Sequence, residues 1–508
     1  MSNKINKLPP KQRKTKGLSR EELMNMDKDE LVDRIMQLEA HTTQLKNIIS
    51  KSEPVTENIQ GYNNQRKFDF SKCNFRRVLL HIIYFGWDYH GLAVQEDSTQ
   101  TIEHYLFNAL VKSCLIESRE QSQYHRCGRT DKGVSAFGQI ISISLRSKLE
   151  PSSTNYSSEI QYCKILNRLF PREIKAVAWM PIPDDRPDFS ARFDCKGRQY
   201  KYYFPKSNLN ITAMREACRH LVGSHDFRHL CKMDVGNGVT EFIRRVVSAD
   251  IIGLDKDCEQ TTSMYALVIE GNAFLWHQIR CIMGVLLLVG QGHERPNIIE
   301  ELLDVEANPR KPQYNMALDL PLNLFRCTYD VKSHWVYDEE ELKYIITNLQ
   351  ADWTMYNIKS TMIKDAVEHL EGVLYDLSKE RKKCERDREY NNLGGKEMQD
   401  NEHIALEGDQ DICKEDKNLE ELGGKEKEND NNTCERDSEL KNVGGKETED
   451  VCEGDRIISH AECLLQGVKP RIYTPLFKRQ TCSSLQERLQ YYRKKRKVGE
   501  YSDDEEIK

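Results

Sequence analysis

No Cys-x-x-Cys pair occurs among the sixteen cysteines of this 508-residue chain. Scattered singly, they spell neither a zinc site nor a disulfide framework, and read as reduced cytosolic or nuclear thiols. Long apolar runs are missing too. The longest, Cys281 to Val289, is far too short to span a bilayer. The N-terminus is polar and basic, without the apolar stretch of a secretory leader. These absences predict a soluble intracellular protein with no membrane association. Apolar residues are scarce at 38%, with a mean hydropathy of −0.70, so a sizeable part of the chain is expected to lie outside any folded core. A phosphate loop is also lacking. Gly128 and Gly133 have the five-residue spacing of a Walker motif, but Val134-Ser135 stands where Lys-Ser/Thr is required. Nothing there carries charge to a terminal phosphate, which excludes nucleotide hydrolysis.

Acidic residues are unevenly spread. Cys384 to Asp455 holds 24 Asp/Glu against 10 Lys/Arg, a net of −14, so the chain's overall −6 conceals +8 elsewhere. The remaining surface is thus suited to nucleic acid. The acidic stretch is an imperfect repeat. Cys384-Glu-Arg-Asp, Cys413-Lys-Glu-Asp and Cys434-Glu-Arg-Asp are each followed by Gly-Gly-Lys-Glu, at 394, 423 and 444. Too polar to bury a face, residues 381–460 are expected to form a disordered insertion. Residues 1–75 read as an extension with a basic segment. Within it Ser19-Arg-Glu-Glu22 forms a capping box, followed by Leu31, Ile35, Leu38, Leu45 and Ile49 at heptad-like spacing. Residues 461–508 form a C-terminal segment ending in Arg493-Lys-Lys-Arg-Lys497, which reads as a nuclear-import signal, with an RNA-binding tail as the other reading.

Between them, 76–380 carries the periodicity of a core. Strands are expected at 78–84, 139–145, 174–180, 198–204, 242–252 and 264–270, with helices at 101–115, 160–169, 209–222 and 273–290. A further helix at 333–380 would pack through Trp335, Leu342, Ile345, Leu349, Trp353 and Met362. Two similar halves of this kind predict an α+β domain whose sheet is mostly antiparallel.

The richest stretch is Tyr124-His-Arg-Cys-Gly-Arg-Thr-Asp-Lys-Gly-Val-Ser-Ala-Phe-Gly-Gln139. Asp131 is bracketed by Gly128 and Gly133 and feeds a strand in which Ile141, Ile143 and Leu145 alternate with serines. A Gly-framed loop on a rigid strand holds one carboxylate in a fixed place. Arg280 lies on an otherwise apolar helix, where a buried guanidinium is costly unless paired, and Asp131 is its natural partner. Tyr200, in the alternation Tyr200, Tyr202, Phe204, is by default a core aromatic. His225, His229 and Cys231 lack the further ligands of a metal site, and His277 reads as a packing or hydrogen-bonding residue.

Arg129-Thr-Asp-Lys-Gly-Val-Ser-Ala136 resembles the signature of the TruA family of RNA pseudouridine synthases. Tyr84-Phe-Gly-Trp-Asp-Tyr-His-Gly91, Phe189 to Tyr202, Gly223-Ser-His-Asp-Phe227, Gly271 to Arg280 and Ala317 to Leu324 resemble further family motifs, in order. The closing strand reads Ala-Leu-Asp-Leu-Pro-Leu rather than the bacterial Ala-Pro-x-x-Gly-Leu, closer to the eukaryotic members. The resemblance implies two α/β halves around a catalytic cleft. Its aspartate falls on Asp131, its active-site tyrosine on Tyr200, and the arginine paired with the aspartate on Arg280. Arg129 would lie beside the extruded nucleotide. The implied reaction converts uridine to pseudouridine in the anticodon stem-loop of tRNA, at positions 38 and 39, by a homodimer and without metal or cofactor. A non-catalytic RNA-binding scaffold, or a synthase acting on other RNA sites, are the competing readings.

Overall fold

The computed structural model describes residues 68–397, 462–467 and 472–503, apart from 151–152, 154, 184, 256–259 and 332–333. The N-terminal heptads and the second and third copies of the acidic repeat lie outside these residues.

The first half comprises β1 (Asn74–Tyr84), α1 (Ile102–Lys112), β2 (His125–Arg126), β3 (Ser135–Ser147), α2 (Tyr162–Asn167) and β4 (Ile174–Pro181). The second comprises β5 (Cys195–Pro205), α3 (Ile211–Arg219), β6 (Gly223–Asp226), β7 (Ile243–Gly253), β8 (Met264–Gly271), α4 (Gln278–Gly290) and α5 (Ile298–Leu303). Then come β9 (Leu322–Tyr329), α6 (Glu339–Glu397) and α7 (Leu485–Asp503). The strands form one sheet in the order β4-β1-β3-β9-β5-β8-β7-β6, with β2 added on β3. Every pairing is antiparallel except β3 with β9. This is the expected α+β class.

Burial on both faces explains the near-continuous apolar run of β1. Val78, Leu80, Ile82 and Tyr84 enter the main core beneath the helices, whereas Leu79 joins a smaller core with Ile140, Met180 and Phe189. α4 is buried along its whole length, so it is apolar all round.

The parallel pair is what builds a site. Because Ser135 aligns with Asn323 and Ala136 with Leu324, the segments entering β3 and β9 arrive at the same edge of the sheet. A strand from the end of the domain therefore stitches the two halves together between β3 and β5.

Three features depart from the sequence reading. α4 begins at Gln278 rather than near 273, because His277 adopts a left-handed φ of 59° that the helix cannot continue backward through. Of the packing residues expected on the 333–380 helix, Ile345 is buried but Trp353 and Met362 are 71% and 67% exposed. The body covers only the first turns of α6, the Tyr356 ring meeting Trp87 at 5.7 Å. The helix also runs past 380 to Glu397, through the first acidic repeat. Lys, Arg and Glu, which fill most of 381–389, are good helix formers, which favours propagation beyond the packed part.

Candidate active site

Asp131 sits in the turn that enters β3, and the preceding turn after β1 clamps it. Leu92 N–H donates to the Thr130 carbonyl at 3.1 Å, and Gly133 N–H donates to Tyr89 O at 3.1 Å. Tyr84 and Thr130 share a buried hydroxyl hydrogen bond of 2.8 Å. Gly133 has a φ of 78°, and a Cβ at Gly86 would lie 2.0 Å from Val134 O. Only glycine allows the two turns to approach so closely. These contacts give the Tyr84–Gly91 motif its physical role, that of backing the Asp131 loop.

The loop's other end is fixed by a buried carboxylate that the sequence did not single out. Glu103 on α1 is fully buried and accepts from Arg119 at 3.1 Å, Tyr124 at 2.9 Å, Val94 N–H at 3.1 Å and Arg126. Four donors stabilise its charge without solvent, and Arg126 ends β2, directly before Cys127.

The segment entering β9 brings Asp319 against the same loop, since a Cβ on Gly133 would lie 3.0 Å from the Asp319 carboxyl. Arg280, 3% exposed, donates through Nε to Ala317 O at 2.9 Å. Its Nη2 lies 3.7 Å from Asp319 Oδ2. The expected direct Arg280–Asp131 pair is thus replaced by an Arg280–Asp319 pair. Among the described residues, the one basic side chain within 4 Å of the Asp131 carboxylate is His277, with Nε2 at 3.6 Å from Oδ2. Arg280 still acts on Asp131 through space. Burial pushes the Asp131 carboxyl above the usual carboxylate range; Arg280 is the strongest opposing influence, followed by the Trp276 side chain, while Asp319 adds to the rise and Lys232 resists it.

His277 is lowered to about 4, first by burial and then by Arg280, Lys232 and Lys311. Its imidazole is therefore neutral at physiological pH, and the approach to Asp131 is a polar contact rather than a salt bridge. His277 Nδ1 and Arg280 Nη2 are buried without hydrogen-bond partners in the protein. Unpartnered polar atoms at the mouth of a cleft are available to a ligand. Tyr200 lies in β5 between Ile269 and Leu324, 8% exposed, its ring edge-on to Phe274 at 5.3 Å. Burial raises its phenol far above the ordinary value, so it stays neutral. Arg129 is exposed at the front of the loop.

Beside His277 opens a cavity of about 950 Å³. Lys232, Lys311, Arg479 and Arg488 line it, and Lys232 lies 4.1 Å over the Trp276 ring. Two of those cations come from the C-terminal segment, which packs as part of the body. Gln313 N–H donates to Gln480 O at 2.9 Å and Cys482 N–H to Lys311 O at 2.8 Å, while Tyr473 donates to Glu294 at 2.6 Å. This wall joins segments more than 150 residues apart, which no local pattern specifies. Asp319, Trp276 and Lys232 were not singled out in the sequence, and His277, read there as a packing or hydrogen-bonding residue, is found beside Asp131; the polar Trp276-His277 step before an apolar helix is the usable signal.

A family model described as tRNA pseudouridine synthase matches residues 217–330. The chain is 42% identical over 365 residues to the Bos taurus protein named tRNA pseudouridine(38/39) synthase, covering 68% of this chain and 75% of that protein. The Homo sapiens protein of the same name is 43% identical with the same coverage. The Saccharomyces cerevisiae one is 39% identical, covering 66% of this chain and 79% of that protein.

Proposed function

The chain belongs to the tRNA pseudouridine synthase family, and from that premise we propose that it isomerises uridines 38 and 39 of tRNA with Asp131 as the reacting carboxylate. The observation that carries this reading is the convergence on Asp131 of His277, Trp276 and the field of Arg280, beside a cavity lined by four cations.

The reaction breaks the bond between uracil N1 and ribose C1′, turns the base, and joins C5 to C1′. The C5 proton is lost and N1 gains one, so atoms and electrons balance without an external reactant. A carboxylate can serve as nucleophile or base in this sequence, and in either role it must be ionised. Arg280 supplies the charge that favours ionisation against burial. Tyr200, a neutral phenol beneath the cleft, offers an aromatic face to the detached uracil. Arg129, exposed beside Asp131, is placed to occupy the space left by an extruded nucleotide. Extrusion costs a few kcal/mol, and less at a stem end. Lys232, Lys311, Arg479 and Arg488 are suited to the phosphates of the same strand. The test is a pseudouridine map of tRNA treated with wild type or Asp131→Ala protein.

Homodimer formation rests on α6. Ile346, Trp353, Val367 and Leu374 repeat at multiples of seven residues, as do Tyr356, Ile363, Leu370 and Leu377, and all eight are exposed. Two interleaved series of this kind form the seam of a coiled coil, and a second copy of α6 is the occupant proposed here. A helix of 59 residues extends about 90 Å at 1.5 Å per residue, ample for such pairing. Ile363→Glu with Leu370→Glu is expected to convert dimer to monomer in sedimentation equilibrium; a double variant that stays dimeric removes α6 from the interface.

Nuclear localisation rests on Arg493-Lys-Lys-Arg-Lys497, whose first three residues are exposed on α7. Replacing the five with alanine is expected to leave a fluorescent fusion cytoplasmic. Unchanged nuclear signal would assign the cluster elsewhere.

A further inference from the structure

Cys127, Cys195 and Cys327 are separated by 68 and 132 positions in the chain, yet their sulfurs all lie within 4.8 Å of one another. Each comes from a different element. Cys127 follows β2 and opens the Asp131 loop, Cys195 begins β5, and Cys327 is in β9. Cys127 Sγ and Cys327 Sγ are 3.2 Å apart. The trio is set among Leu79, Ile140, Met180 and Phe189 in the smaller core. Three thiols gathered at one point in an apolar setting is an arrangement that simple packing does not require, since any small apolar side chain fills such positions.

We propose that these three cysteines form a binding site for a single Zn²⁺ ion, which would tie the start of the Asp131 loop to β5 and β9. Sulfur-only donors select thiophilic ions, zinc and cuprous copper among them. Zn–S bonds of about 2.3 Å in a tetrahedron need sulfurs about 3.8 Å apart, which the trio reaches by small side-chain adjustments. Charge favours zinc over the monovalent ion. Three thiolates with Zn²⁺ carry one net negative charge, and one guanidinium is at hand to balance it. Arg198 Nη2 donates to Cys127 O at 2.8 Å and to Arg192 O at 3.0 Å, fixing that cation beside the sulfurs. Cuprous copper would leave a further negative charge uncompensated in the same apolar core. Cys327 is only partly buried, which gives solvent a route to the fourth position. Binding releases the thiol protons, so uptake strengthens as pH rises.

The site is separate from the reacting groups, but it shares their frame. Cys127 is four residues before Asp131, and Tyr200 lies five residues beyond Cys195 on the same strand. Zinc here would act on the loop's position, with no part in bond making.

The test uses the full-length protein, reduced, loaded with Zn²⁺, freed of excess and assayed for metal per chain. Cobalt substitution then reads the ligands directly through a thiolate-to-cobalt charge-transfer band. One zinc per chain is expected, with a strong cobalt band, and at least a tenfold loss of retained zinc in Cys195→Ser and Cys327→Ser. Retention unchanged in both variants would place the ion elsewhere and overturn the proposal. So would a reduced wild-type protein that keeps no zinc and shows no cobalt–thiolate band, or one in which Cys127 and Cys327 resist reduction as a disulfide. A wild-type protein without zinc overturns the proposal even where a variant fails to fold, and where one variant fails to fold the other still locates the ion.

Discussion

Asp131→Ala is expected to lower pseudouridine formation by at least about three orders of magnitude, the scale set by losing a nucleophile or general base. tRNA affinity should hardly change, because it is drawn from cations spread over the cavity and not from an anion. A variant retaining a tenth of the wild-type rate would remove Asp131 from the chemistry. The same residue predicts an opposite effect on stability. Burial raises the Asp131 carboxyl in the folded state, so ionising it costs folding free energy. That cost is fully present above the folded-state value and absent below the ordinary carboxylate range. Asp131→Asn should therefore raise Tm at pH 8 and leave it unchanged in strong acid. Equal shifts at both pH values would show that ionisation is not the cause. A site that gains stability on losing its reacting group is expected where function rather than folding set the residue.

Arg280→Met is the second large effect. Arg280 is the strongest influence holding the Asp131 carboxyl down against burial. Without it that carboxyl rises further, and the ionised fraction at neutral pH falls. Activity at pH 7 should drop by about two orders of magnitude, the range for losing a positioned charge in a dry site. Part of it should return as pH rises, because the acid limb of the profile moves to higher pH. Arg280→Lys keeps a cation but loses the Nε–H bond to Ala317 O, so it should fall between wild type and Met. Equal pH profiles for wild type and Arg280→Met would reduce Arg280 to a structural tie between α4 and the β9 entry. Its pairing with Asp319 at 3.7 Å makes that alternative concrete.

The three sulfurs and the Asp131 carboxylate are distinct groups with distinct readouts. Loss of the three sulfurs is expected to release the proposed metal tie on the loop, whereas loss of Asp131 is expected to remove the proposed reacting carboxylate. The first should show in metal content, the second in turnover at full metal content.

Local pattern was enough for much of this protein. Strand alternation, the glycines framing Asp131 and the solitary arginine of an apolar helix are each properties of a short window, and short windows set backbone conformation and burial. The α+β class and the order of elements followed from them, as did the family, since its motifs are contiguous in the chain. What the windows lacked was which distant segments meet. The parallel alignment of β3 with β9 joins residues almost two hundred positions apart and brings Asp319 to Gly133, while reciprocal hydrogen bonds tie Ala317 to Arg280. Separate contacts of the C-terminal segment with Lys311 and Gln313 place Arg479 and Arg488 in the cavity wall, and the seating of β9 beside β5 gathers Cys127, Cys195 and Cys327 at one point. Contacts of α6 with Asn167, Arg172 and Trp87 decide which end of that helix is covered, leaving Trp353 exposed where its place in the sequence pattern predicted a core residue. A side chain's neighbours along the chain fix its conformation; its partners in charge and metal chemistry act over a few ångströms of space, and only the assembled sheet determines who they are.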